Sequence, residues 1–152
     1  MLAETPAYRR VVIVEDDVTL RRIIARNLTQ RGVLVTETGS AEEAMDAVQV
    51  ERPDLFLLDV NLPNRSGWDV LRDLRRRGIE VPTVIISAVR ANPSRLEGFQ
   101  PLAYLPKPFP LEALLRLVIG SSEDRDDASR EGNATGDGSG PSERHEVGRT
   151  YG

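Results

Sequence analysis

Cysteine is absent from this 152-residue chain, which excludes disulfides and cysteine-ligated metal centres. Histidine occurs once, at His145 in a polar C-terminal stretch, so neither an imidazole-ligated metal nor a histidine phosphodonor is expected. Long apolar runs are missing too: the longest span four to five residues, far short of a bilayer crossing. The first ten residues hold Glu4, Pro6 and two arginines and have no apolar core, so they do not read as a secretory signal. A soluble, cytoplasmic protein with no membrane contact is expected. Lysine is nearly missing as well. Of twenty basic residues nineteen are arginine, and the exception is Lys107. A single lysine in so arginine-rich a chain invites a chemical reason.

Charge is unevenly placed. Residues 1–120 hold sixteen acidic and sixteen basic residues, and residues 121–152 carry the whole net charge of −4. A neutral domain with an acidic tail argues against direct binding to nucleic acid. The tail is rich in Asp, Glu, Ser and Gly and has almost no apolar side chains. It cannot bury enough surface to offset its ordering entropy, and disorder is expected from 121 to 152. It is also too short and polar for a DNA-binding or catalytic module.

The domain, expected from 8 to 120, alternates two hydrophobic periods. Short β-branched or leucine-rich runs, Val11–Val14, Leu55–Leu58 and Val84–Ile86, suit strands buried on both faces. Val33 to Glu37 reads as another strand, and Leu102 to Leu105 as a short fifth. Between them come helical spacings: Leu20, Ile23, Ile24 and Leu28, ended by Gly32; Ala41, Ala44, Met45 and Val48 behind a Ser40–Glu43 capping box; Val70, Leu71 and Leu74; and Leu111, Leu114, Leu115 and Val118. Asp17 is placed to cap the first helix. Trp68 is expected to pack near the start of the third, and Arg75–Arg77 to form its solvated C-terminal end. Asn92-Pro93 reads as the start of a fourth helix and Gly98 as its stop, leaving about one turn.

Five β-α units imply an open, doubly wound, five-stranded parallel sheet with a shortened fourth helix. In such sheets ligands bind beyond the carboxyl ends of the strands. The residues there are Glu15, Asp16 and Asp17 after strand one, Asp59 and Asn61 after strand three, Ser87 after strand four and Lys107 after strand five. Three crowded carboxylates repel and raise one another's pKa values. A hard divalent cation with oxygen ligands relieves this, which points to Mg²⁺, with Mn²⁺ as a substitute. A carboxylate can attack phosphorus to form an acyl phosphate. Lys107 can then pair with the phosphoryl group, and Ser87 can donate a hydrogen bond to it.

The segments V-I-V-E-D-D, L-L-D-V-N-L-P…G-W, V-I-I-S-A and Y-L-P-K-P-F resemble the signatures of receiver domains of two-component response regulators. The resemblance runs from about residue 9 to 119. It implies the flavodoxin-like strand order 2-1-3-4-5 and Asp59 as the phosphoacceptor. It further implies Asp16 and Asp59 as metal ligands, the backbone carbonyl of Asn61 as another, and Glu15 acting through a water. Ser87 and Tyr104 would form the switch pair, and Lys107 would contact the phosphoryl group, with a cis bond before Pro108. The phosphodonor would be a histidine kinase or a histidine phosphotransfer protein. Output would pass by protein contact to a downstream protein, the chain acting as a monomer or as a phosphorylation-dependent dimer. Two rivals are weighed. A pseudo-receiver scaffold would never be phosphorylated, and the complete acidic pocket argues against it. A hydrolase with an aspartyl-phosphate intermediate would carry a second Asp two residues after the nucleophile, where this chain has Asn61.

Overall fold

The computed structural model describes residues 5–120. The expectation for residues 121–152 falls outside that range. Elements follow in the order β1 (Arg10–Val14), α1 (Val18–Thr29), β2 (Leu34–Thr38), α2 (Ala41–Val50), β3 (Leu55–Asp59), α3 (Gly67–Arg76), β4 (Thr83–Ser87), α4 (Pro93–Phe99), β5 (Ala103–Pro106) and α5 (Leu111–Ile119). All neighbouring strands are parallel, in the order β2-β1-β3-β4-β5. This is the doubly wound sheet that the β-α alternation predicts.

The two-residue period of each strand sorts its side chains into two cores. Val11, Ile13, Leu55, Leu57, Val84 and Ile86 face α1 and α5, where Ile24, Leu28, Leu114 and Val118 meet them. Val12, Val14, Phe56, Leu58 and Ile85 face the other way, onto Ala44, Met45 and Val48 of α2 and Val70 and Leu74 of α3. Every residue of β3 and β4 is buried, which is why those runs carry no polar alternation. β2 lies at the sheet edge, and Leu34 there is half exposed. The segment before β1 is tied down by two backbone bonds, from Ala7 N–H and Tyr8 N–H to the Ile119 and Val118 carbonyls at the end of α5.

Local chemistry ends the helices largely as the sequence suggests. The Asp17 carboxylate accepts from the N–H groups of Thr19 and Leu20 and starts α1. Ser40 accepts from Glu43 N–H, but Glu43 reaches back to Gly39 N–H rather than to Ser40. The reciprocal capping box lies instead at Ser66 and Asp69, where α3 starts. Two further expectations are corrected. Ile23 is half exposed, because Ile24, Ala25 and Leu28 define the inner face of α1 and position 23 is turned to the side of 24 away from 25 and 28. α4 does not stop at Gly98. It runs seven residues to Phe99, and Gln100 ends it in the left-handed conformation at φ 48°. The extra residues bring Phe99 against Trp68, and that contact outweighs the local stop signal.

Candidate functional site

Strand register assembles the site. Val14 pairs with Leu58, so Glu15, one residue further on, lies beside Asp59. Asp59 pairs with Ile86, and Ser87 pairs with Pro106, so Ser87 and Lys107 follow at the same edge. The N–H of Lys107 donates to the Ser87 carbonyl at 2.8 Å, extending the β4–β5 ladder by one residue. Residues scattered over more than ninety positions of sequence thus converge at one sheet edge.

The Lys107 ammonium sits between two buried carboxylates. Its Nζ donates to Asp59 Oδ2 at 2.7 Å and to Glu15 Oε2 at 2.9 Å. Both acidic side chains are almost wholly buried, whereas Lys107 keeps about a fifth of its side-chain surface. The remaining carboxylate oxygens are held by backbone: Asp17 N–H donates to Glu15 Oε1 at 3.1 Å and Asn61 N–H to Asp59 Oδ1 at 2.8 Å. Burial pushes the Glu15 carboxyl up to about 7, helped by its closeness to Asp59 and opposed by Lys107. The Lys107 ammonium is held above its ordinary value. Burial opposes its charge, but the hydrogen bonds to Asp59 and Glu15 together outweigh that cost.

Carboxylate oxygens of Glu15, Asp16 and Asp59 lie within 4.8 Å of one another, and Asp16 is the exposed member. An all-oxygen donor set with no nitrogen or sulfur suits a hard divalent cation. Ser87 is fully buried, and its Oγ accepts from Val89 N–H at 3.1 Å. Tyr104 is half buried, and its hydroxyl donates to the Val89 carbonyl at 2.7 Å. The Lys107–Pro108 bond is cis. Every site residue expected from the sequence therefore stands at this edge or on the strand beside it.

Supporting residues were less visible. Arg21 on α1 donates to the Glu15 carbonyl at 2.9 Å and pairs with Glu37 at 3.4 Å, which steadies the acidic loop. Thr38 lies buried at the end of β2 and donates to the Ile13 carbonyl at 2.7 Å. Gly67 opens α3 directly against the end of β3. A Cβ there would stand 2.5 Å from the Asp59 carbonyl oxygen and 2.9 Å from Val60 Cα. The Gly67 N–H uses that closeness to donate to the Val60 carbonyl at 3.0 Å. Arg75, exposed as expected for the end of α3, also donates to the Gly98 carbonyl at 2.7 Å. The sequence held a signal only for Gly67, as the glycine of the G-W pair.

Fold and site together define a doubly wound α/β domain whose ligand-binding edge is an acidic pocket closed by a lysine. The sequence profile of the response regulator receiver domain matches residues 11–119. The chain belongs to the family of response regulator receiver domains of two-component systems. It is 36% identical over 124 residues to the response regulator MprA of Mycobacterium avium, an alignment covering 78% of this chain and 54% of that protein. The chain thus spans about half the length of the curated relatives it matches. Among solved structures, the beryllofluoride-activated receiver domain of Klebsiella pneumoniae RstA is 30% identical, with a TM-score of 0.62 over 74% of this chain and 100% of that one. The non-phosphorylated HemR receiver domain of Leptospira biflexa is also 30% identical, with a TM-score of 0.64 over 72% and 90% of the two chains. No helix among the described residues is long and apolar enough to cross a membrane.

Proposed function

We propose that this domain accepts a phosphoryl group on Asp59 from a histidine kinase or a histidine phosphotransfer protein in the cytoplasm, and signals through changed protein contacts. The observation that carries this reading is Lys107 Nζ bridging Asp59 and Glu15 inside an otherwise acidic pocket. In the transfer an Asp59 carboxylate oxygen bonds to phosphorus while the donor's phosphorus–nitrogen bond breaks. The electron pair leaves with the imidazole, which takes a proton from solvent. The product is an acyl phosphate.

Mg²⁺, or Mn²⁺ in its place, would be held by Asp16, Asp59 and the Asn61 carbonyl, with Glu15 acting through a water, and would supply charge neutralisation at the nucleophile. Lys107 is already hydrogen-bonded to the nucleophile and turns one of its donors to the incoming group. The Ser87 hydroxyl accepts from Val89 N–H, so its own proton is available to a phosphoryl oxygen. Positioning and charge neutralisation do most of the work in such transfers. Asn61 two residues after Asp59 provides no acid or base for rapid hydrolysis, which separates this reading from a hydrolase. A scaffold that is never phosphorylated would have no need to gather three carboxylates at one strand edge.

Acetyl phosphate with Mg²⁺ should raise the intact mass by one phosphoryl group, and Asp59→Asn should remain unlabelled. Equal labelling of the Asn variant, or labelling in excess EDTA, overturns the proposal.

A further inference from the structure

Helix α4 has no buried residue, so burial alone does not fasten it. It is held by Leu96 and Phe99, which pack partly buried against the core, and by a ladder of rings and guanidinium groups shared with α3. Trp68 of α3 stacks on Phe99 of α4, with centroids 5.6 Å apart and planes 24° from parallel. Arg75 of α3 lies over the Phe99 ring at 4.6 Å, and Arg95 of α4 lies over Trp68 at 5.7 Å. Each helix therefore contributes one ring and one cation.

The two cations are not equivalent. Arg75 is anchored by its bond to the Gly98 carbonyl. Arg95 is exposed, and its guanidinium makes no side-chain hydrogen bond or ion pair among the described residues. It also lines a groove with Asn61, Ser66, Ser87, Val89 and Arg90, and no carboxylate side chain lines that groove. The groove adjoins the phosphoacceptor: Asn61 N–H is bonded to Asp59 Oδ1, and Ser87 directly follows the strand partner of Asp59.

We propose that Arg95 is a second cationic partner for a phosphoryl group on Asp59, and that engaging it draws the guanidinium off Trp68 and loosens α4 from α3. The inference rests on the phosphoacceptor reading and adds to it a residue and a route of output separate from Ser87 and Tyr104. The direction follows from relative strengths. An exposed cation–ring contact is weak, whereas a charge-assisted hydrogen bond between a guanidinium and a phosphoryl dianion is among the stronger polar contacts. The planar arginine fork also matches phosphoryl oxygens. A helix with no buried side chain shifts readily once one of its few fasteners moves.

Trp68 is the only tryptophan, so its fluorescence reports on the ladder without a label. With Mg²⁺ and beryllofluoride as the phosphoryl mimic, Trp68 emission of the wild-type chain should change on binding. Arg95→Gln should weaken beryllofluoride binding roughly three- to ten-fold at low salt, less at high salt, and abolish the emission change. Arg95→Lys should recover part of the affinity. Phe99→Leu loosens the ladder but keeps the charge, so it should bind beryllofluoride as the wild type does. Wild-type affinity with a full emission change in Arg95→Gln overturns the proposal, as does binding to the wild type with no change in Trp68. Absence of beryllofluoride binding to the wild type overturns the phosphoacceptor reading itself.

Discussion

The hydroxyl of Tyr104 donates to the carbonyl of Val89 at 2.7 Å, while the N–H of that same Val89 donates to Ser87 Oγ. One residue therefore joins the two members of the expected switch pair. If a phosphoryl group draws the Ser87 side chain far enough to give up the Val89 N–H, the Tyr104 anchor loosens with it. Tyr104→Phe should cost about 0.5–1 kcal/mol in urea unfolding, since the lost bond is neutral and partly exposed. It should leave Asp59 labelling by acetyl phosphate intact. In the wild type, amide exchange should change across residues 89–104 on beryllofluoride binding. Changes confined to the loops holding Asp16, Asp59 and Lys107 would refute this route of output.

Lys107 neutralises a pair of carboxylates that water barely reaches. Lys107→Met would leave them facing each other without a cation. The metal-free variant should lose about 2–4 kcal/mol of stability, toward the lower part of the range for broken buried pairs because Lys107 is partly exposed. Mg²⁺ should recover more stability in the variant than in the wild type, and paired urea titrations with and without the ion read this difference. Equal recovery in both chains would show that the ion does not share the pocket with the ammonium.

The raised Glu15 carboxyl has a calculable sign. Its folded value is about 7 and its ordinary value 4.5, so between these the folded state keeps a proton that the unfolded state has released. Its contribution to stability is fully present below about pH 4.5 and is lost as pH rises through about 7. In EDTA, the wild type should lose stability relative to Glu15→Gln across that window, read as the difference in urea midpoints. Mg²⁺ competes with the same proton, so its affinity should increase as pH rises through the window. A midpoint difference that is flat with pH would count against the raised value.

Gly67→Ala places a methyl 2.5 Å from the Asp59 carbonyl oxygen, and backbone cannot move aside as a side chain can. A loss of about 1–3 kcal/mol is expected, with slower labelling of Asp59 because the strand end that carries it must shift. Gly39→Ala is the control. Its nearest neighbour is the Arg21 guanidinium at 2.9 Å, the end of a long side chain that can give way at the expense of its bond to the Glu15 carbonyl. It should therefore cost less stability than Gly67→Ala.

The contrast between these glycines shows what was legible in the sequence. Strand ends, their acidic residues and Lys107 could be read because a parallel sheet places consecutive strand ends together whatever the detailed packing. Register then required no further information to bring Glu15 beside Asp59. The end of α4 was misread because Gly98 is a strong local stop signal, and the opposing contact, Phe99 on Trp68, joins residues 31 positions apart. The bond from the exposed Arg75 to the Gly98 carbonyl was not legible for the same reason: the two residues are distant in sequence. The Ser66–Asp69 capping box went unnoticed because Asp stands where the usual pattern has Glu or Gln.

The solitary lysine also gives the chain an unusual chemical surface. Reagents that acylate amines attack the neutral form, and this chain offers them one α-amino group and one side-chain amine. That side chain is bonded to two carboxylates and held protonated above its ordinary range. Amine coupling would therefore pass over Lys107 while the pocket is closed. Acylation at Lys107, when it does occur, reports that the pocket has come open, with no probe engineered into the chain.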